Sequence, residues 1–238
     1  VKDAMNDADQ DTTTMTNSQL AAIAFDMLAD KPLDQISLDD VADSAGIDRA
    51  YAAICAGTVP SLILHHITML DNKAMLETFD DLKDAGEVSI REKILEAILH
   101  RFEIYNPHKS VMASLGKYAL RNPPFGLELL VKRVATTRRL LIMCGDNPHG
   151  WRGEARIHGV VGVIVASARV WQKDDSPDLS MTMKEIDKRL EQAEEWGHSF
   201  GVFGRGASRN NSDQDSSNGH NMADHDMSAD HETGHDRS

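Results

Sequence analysis

The sequence predicts an all-α protein, with a three-helix N-terminal unit, a C-terminal bundle of about six helices and a polar tail. Three observations predict it. Apolar residues recur at three- and four-residue spacing, and no stretch alternates as a strand would. Aromatic residues make up only 5% of the 238 positions, while Leu, Ile, Val, Ala and Met are plentiful. The periodic segments are separated by helix breakers: Lys31-Pro32, Ala45-Gly46, Asp84-Ala85-Gly86 and Asn122-Pro123-Pro124.

Taken in order, residues 1–17 are polar and acidic without periodicity and read as disordered. Asn17 or Ser18 then caps a helix with Leu20, Ile23, Ala24, Met27 and Leu28 on one face. Ser37 caps a short helix with Asp39 and Asp40 in its first turn, where the helix dipole favours anions. Ala45-Gly46-Ile47 is a tight turn, and Asp48 caps a third short helix reaching about Ala56. Residues 18–58 therefore have a helix-turn-helix outline. A long helix from Pro60 runs to about Lys83, and the capping box Ser89-Ile90-Arg91-Glu92 opens the next. Val111–Leu120, Phe125–Cys144, Trp151–Trp171 and Leu179–Trp196 complete a bundle over residues 59–200. After Gly201 the composition falls to Gly, Ser, Asn, Asp and His, and residues 201–238 read as a disordered tail.

Charge narrows the function classes. A net charge of −13 opposes general nucleic-acid binding, which needs clustered Lys and Arg to neutralise phosphates. Cys55 and Cys144 are the only cysteines and have neither metal nor redox spacing, so a reducing cytoplasm is the default. No secretory signal is expected, because residues 1–17 are acidic where such a segment is basic and then apolar. There is no phosphate loop, nucleophile elbow or dinucleotide fingerprint. No cofactor or metal site is expected: His65, His66 and His100 lack a Glu-x-x-His pattern, and the tail histidines His220, His225, His231 and His235 are irregularly spaced. The expectation is a protein that is not an enzyme.

The layout of a three-helix unit, a long connecting helix and a bundle resembles the TetR-type regulators. Those carry an Ala-Gly-Val turn, a Tyr-x-(His/Tyr)-Phe box and a following Lys, of which the Tyr and Lys usually hold phosphates. Here the turn survives as Ala45-Gly46-Ile47, but the contact positions read Ala53, Cys55, Ala56 and Val59. Between Ser18 and Thr58 seven aspartates face only Lys31 and Arg49, a net of −5. DNA carries one negative charge per ~1.7 Å, so DNA binding is not expected.

The stretch Trp171–Leu190, WQKDDSPDLSMTMKEIDKRL, resembles the Coq-nine family of ubiquinone-biosynthesis accessory proteins. Asp174-Asp175-Ser176-Pro177-Asp178 matches that family's acidic turn, and Ile186-Asp187-Lys188-Arg189-Leu190 matches the end of its following helix. Ser61–His66 and Arg91–Ile98 resemble two of its other helix starts. The resemblance spans roughly Leu20 to Trp196. It implies a TetR-type fold without repressor activity, and a homodimer. It also implies binding of an isoprenoid lipid such as a ubiquinone precursor, and presentation of that lipid to the di-iron demethoxyubiquinone hydroxylase at the membrane. Members often end in a further amphipathic helix, and none is visible after Phe200.

Candidate residues follow. Leu95, Leu99, Phe102, Leu115, Leu129, Leu130, Leu140, Ile157, Val160, Val161 and Ile164 are apolar enough to line a lipid pocket between helices, and ordinary core packing would use the same residues. Trp151, with Arg152 beside it, is a candidate partner or membrane anchor. Lys132, Arg133, Arg138 and Arg139 form the one dense basic cluster of the bundle. They are either a solvated face or an attraction to anionic headgroups at the inner face of the membrane. Two long helices around an acidic turn form a hairpin suited to dimerisation. Gly159, Gly162 and Ala166 would let another helix approach, Asp174, Ser176 and Asp178 would order the turn, and Trp171, Ile186 and Leu190 would pack.

Overall fold

A computed structural model describes residues 2–84 and 86–199. All the regular structure among them is helical: α1 (Lys2–Met27), α2 (Leu38–Ala45), α3 (Arg49–Cys55), α4 (Val59–Asp84), α5 (Ile90–Tyr105), α6 (Lys109–Arg121), α7 (Pro123–Met143), α8 (Gly150–Trp171) and α9 (Ser180–Ser199), with 3₁₀ turns at Leu33–Gln35 and Asn106–His108. Helices α1–α3 are the N-terminal unit and α4–α9 the bundle, as the periodicity predicts.

Local chemistry sets most boundaries. Ser37 Oγ accepts from Asp40 N at 3.1 Å and Asp40 Oδ2 accepts from Ser37 N at 3.1 Å, a capping box at the start of α2. Gly46 at φ +66° ends that helix in a left-handed conformation that costs glycine nothing. Asp48 accepts from Ala50 N and Tyr51 N, both at 3.0 Å, and starts α3. Ser89 and Glu92 form the expected box at α5.

Two boundaries differ from the sequence reading. Helix α1 begins at Lys2 and not near Ser18, so 2–17 are helical where composition predicts disorder. Once Leu20, Ala21, Ala24 and Phe25 are locked into the core, extending the helix backwards adds about one hydrogen bond per residue fixed, without a new nucleus. No Pro or Gly interrupts that stretch. Pro123 and Pro124 also do not form a gap: they occupy the first turn of α7, where a missing N–H costs nothing, and Asn122 caps it through Phe125 N at 3.3 Å. The predicted disordered tail, 201–238, lies outside the described residues.

One core joins the two halves. Helix α1 packs along α4, so Leu20, Ala24 and Phe25 meet Leu62, Ile63 and Leu64, all fully buried. Around that axis α4 meets α5 and α7, α7 meets α6 and α8, and α8 forms a hairpin with α9, which in turn covers α5. The start of α8 is seated tightly: a Cβ on buried Gly153 would lie 2.4 Å from the backbone carbon of Pro148, so no side chain fits there. Among the described residues no single helix is long and apolar enough to cross a membrane.

Candidate functional site

The N-terminal unit presents α3 to the outside, with Arg49, Ala50, Tyr51, Ala53 and Ile54 exposed. Ile54 is 81% exposed, so an apolar side chain stands out on the face of α3 beside Ala50 and Ala53. Of the positions matching the lost contacts, Ala53 is exposed, Cys55 half-buried, and Ala56 and Val59 buried. Arg49, the one basic residue on this helix, is already committed. Its Nε donates to Asp43 Oδ1 at 2.9 Å, its Nη2 to Asp43 Oδ2 at 2.5 Å, and its Nη1 lies 3.4 Å from Asp39. Those contacts hold the Asp43 carboxyl below its usual range.

In the bundle, the hairpin turn is built around Asp174, which is fully buried. Its Oδ2 accepts from Thr182 N and Thr182 Oγ1, both at 2.7 Å, and its Oδ1 from Ser176 N at 3.1 Å and Ser176 Oγ at 2.5 Å. Burial alone would raise this carboxyl; the hydrogen bonds from Ser176 and Thr182 outweigh it and bring it down to about 2. Asp178 accepts from Ser180 N at 3.2 Å. Both aspartates therefore start α9, as the sequence suggests. Lys109 Nζ donates to the Asp174 carbonyl, and Gln172 Nε2 to the Lys109 carbonyl at 3.1 Å, fastening the turn to α6. Trp171, Ile186 and Leu190 are buried inside the chain, the Trp171 ring 5.3 Å from Phe102. Only Gly159, Gly162 and Asp178 of the hairpin set are exposed, with Ala166 and Ser176 half-buried. A Cβ on Gly159 or Gly162 would meet no atom within 4 Å.

The lipid-lining set divides. Leu99, Phe102, Leu115, Leu140, Ile157, Val160, Val161 and Ile164 are buried, and Leu95 and Leu129 pack half-buried against the core. All of these but Val161 belong to one core cluster or pack against it. Leu130 departs from the set: it is 45% exposed, beside Leu127 and Val131 on the outer face of α7. The basic cluster is not one patch. Arg138 binds Glu154 of α8 at 2.6 and 2.9 Å, and Arg139 reaches Asn72 of α4 at 2.9 Å. Lys132 and Arg133 are both half-buried, and Arg133 lies within range of the Asp71 and Arg101 charges. Trp151 is 65% exposed, and the Arg152 guanidinium sits 5.4 Å above its ring.

Between α4 and α5 lies a buried group that the sequence reading misses. Asp71 on α4 is buried and binds Arg101 of α5 bidentately, Nε to Oδ1 at 2.7 Å and Nη2 to Oδ2 at 3.1 Å. Tyr105 OH lies 2.7 Å from Asp71 Oδ1 and 3.2 Å from the Ile67 carbonyl, so its one proton is shared between them. Burial and the Asp71 charge push the Tyr105 phenol well above its usual range, so it stays neutral. Burial first, and then the Arg101 charge, lower Arg133 to about 10, which leaves it protonated at neutral pH. Elsewhere, burial pushes the Cys144 thiol up to about 12, which makes it an inert core residue. Among the described residues no group of three or more His, Cys, Asp or Glu could hold a metal ion.

With this geometry in place, the fold can be compared with solved structures. The chain is similar to a TetR transcriptional regulator from Nitrosomonas europaea, with a TM-score of 0.60 at 12% identity over 76% of this chain and 98% of that one. It is also similar to a TetR-family regulator from Streptomyces coelicolor, with a TM-score of 0.53 at 14% identity over 79% and 86% of the two chains. No family model and no curated protein matches the sequence. The class defined is the TetR-like all-α fold.

Proposed function

We propose that this chain is a non-catalytic, lipid-binding accessory protein of ubiquinone biosynthesis. It binds an isoprenoid quinone intermediate between the helices of its bundle and presents it to the di-iron demethoxyubiquinone hydroxylase. It works as a homodimer through the α8–α9 hairpin, in the cytoplasm at the inner face of the membrane. Trp151 and the apolar outer face of α7 are the surfaces suited to lipid headgroups or to the hydroxylase. The observation that carries the reading is the state of Arg49. A TetR-shaped chain whose one recognition-helix cation is held by Asp39 and Asp43 has no group left there to position on phosphate. The Coq-nine-like residues at Asp174–Asp178 and Ile186–Leu190 supply the direction.

A deletion strain tests this reading. Ubiquinone should fall and the demethoxy intermediate should accumulate; an unchanged quinone profile would sink the accessory role. The second reading is a ligand-responsive transcriptional regulator, the role of both fold neighbours. The two separate on operator-length DNA at low salt, where the accessory protein gives no shift and a regulator gives a specific one.

A further inference from the structure

Charge is spread unevenly over this chain. The whole carries −13, yet residues 109–143, which form α6 and α7, hold seven basic residues and one acidic residue, Glu128, a net of +6. The rest of the chain together carries −19. Two of the seven cations are used inside the fold: Lys109 fastens the turn before α9, and Arg138 binds Glu154. Lys117 and Arg121 are exposed, and no described residue makes an ion pair or hydrogen bond with either side chain.

The same two helices expose apolar side chains. They are joined through Asn122 alone and touch at once: a Cβ on Gly126 would lie 2.8 Å from the Ala119 carbonyl oxygen, and the Tyr118 and Phe125 rings meet edge to face at 5.2 Å. The residues following that contact turn outwards. Leu120 is 87% exposed, the most exposed large apolar side chain among the described residues, and Leu127 and Val131 follow at 64% and 60%. Pro123 and Pro124 are exposed between them. Lys117, Leu120 and Arg121 share one face of α6 by their three- and four-residue spacing, and Leu127, Leu130 and Val131 share one face of α7. Glu128, at the edge of that second face, is the one acid of the pair.

An apolar tip with a basic rim matches the boundary between acyl chains and anionic headgroups. Shape favours a bilayer over a protein. Leu120 stands out as a protrusion, which a fluid surface accepts without a fitted groove. The acidic remainder of the chain is repelled by the same headgroups, so α6 and α7 lead the approach and set its orientation.

We propose that the α6–α7 corner is the surface by which this protein docks on an anionic bilayer. Leu120, Leu127, Leu130 and Val131 enter the headgroup boundary, and Lys117 and Arg121 pair with lipid phosphates. This rests on the membrane location in the proposed function and narrows it to one surface and one lipid charge.

The test is flotation of the purified full chain with two kinds of vesicle, phosphatidylcholine alone and phosphatidylcholine with phosphatidylglycerol in a seven-to-three ratio. Binding should be about tenfold or more tighter to the anionic vesicles and should weaken as salt is raised. Lys117→Gln with Arg121→Gln should lower it about twentyfold, at roughly fivefold for each basic residue near the surface. Leu120→Ser and Leu127→Ser should each lower it about tenfold, with melting temperatures unchanged because both side chains are exposed. Ile54→Ser, at an exposed apolar position in the acidic N-terminal unit, should bind as the parent does. Absence of binding, equal binding to both vesicles, or an equal loss in Ile54→Ser and Leu120→Ser overturns the proposal. Leu120 and Leu127 variants that bind vesicles like the parent but bind the purified hydroxylase less tightly give the corner to a protein partner and overturn it as well. The quinone reading fails separately: an unchanged quinone profile in the deletion strain sinks it whether or not the vesicles bind.

Discussion

Replacing Asp71 with Asn is expected to destabilise the protein by roughly 3–5 kcal/mol, the usual cost of breaking one side of a buried ion pair. Asp71 is 3% exposed and Arg101 5%, so neither charge has water to fall back on. The carboxylate accepts three bonds, two from Arg101 and one from Tyr105. An Asn amide would set an NH2 where one acceptor stood and leave the buried Arg101 guanidinium without an anion. In urea titrations the midpoint should fall with the slope unchanged. The double replacement Asp71→Leu with Arg101→Met should recover most of the loss, since an apolar pair of similar volume avoids the desolvation of both charges. A single-variant loss below about 1 kcal/mol, the scale of an exposed pair, would mean the cluster is solvated and the pair weak.

That cluster marks the limit of what the sequence makes legible. Local features are readable from a few neighbouring residues: the Ser37, Asp48 and Ser89 caps, the Gly46 turn and the acidic turn before α9 all stand where the spacing puts them. Asp71 and Arg101 are thirty positions apart and meet only because α4 and α5 pack. One signal for them existed. Ile94, Ile98, Arg101 and Tyr105 share one helical stripe, as do Ile67, Asp71 and Ala74. A charge inside an apolar stripe is either a partner-seeking group or an error of phase. Arg133 carries the same signal between Leu129 and Thr137. It was obscured because Lys132, Arg133, Arg138 and Arg139 look like one cluster when counted along the chain. Around a helix they point in different directions: Arg138 meets Glu154, Arg139 meets Asn72, and Arg133 feels the Arg101 charge. Leu130 is the converse case: apolar by type, but one residue off the inward stripe, and so exposed. The helical 2–17 segment was missed for another reason, since composition describes an isolated segment and not one joined to a helix already anchored in a core.

The turn at Asp174 shows how a short acidic motif can act without any chemistry of its own. Asp174→Ala is expected to cost roughly 3 kcal/mol, because it strands the Thr182 and Ser176 N–H groups together with two hydroxyls at a buried site. The loss should be cooperative with the hairpin. Leu179 is held at φ +48°, the one positive-φ residue other than glycine among those described, with its side chain 1% exposed. That left-handed backbone costs roughly 1–2 kcal/mol and is tolerable only while the turn fixes it and the core holds its side chain. The pH dependence has a definite sign. The folded carboxyl lies at about 2, below its usual value of 3.8, so its contribution is present above about pH 4 and is lost as pH falls through 2. Thermal melts of the parent and of Asp174→Asn should therefore differ most at neutral pH and converge as the pH approaches 2. A gap that stays constant from pH 7 to pH 2 would show that the ionised carboxylate does not hold the turn. The capping of α9, and with it the hairpin surface on which a dimer would form, would then have to come from Ser176 and Asp178 alone.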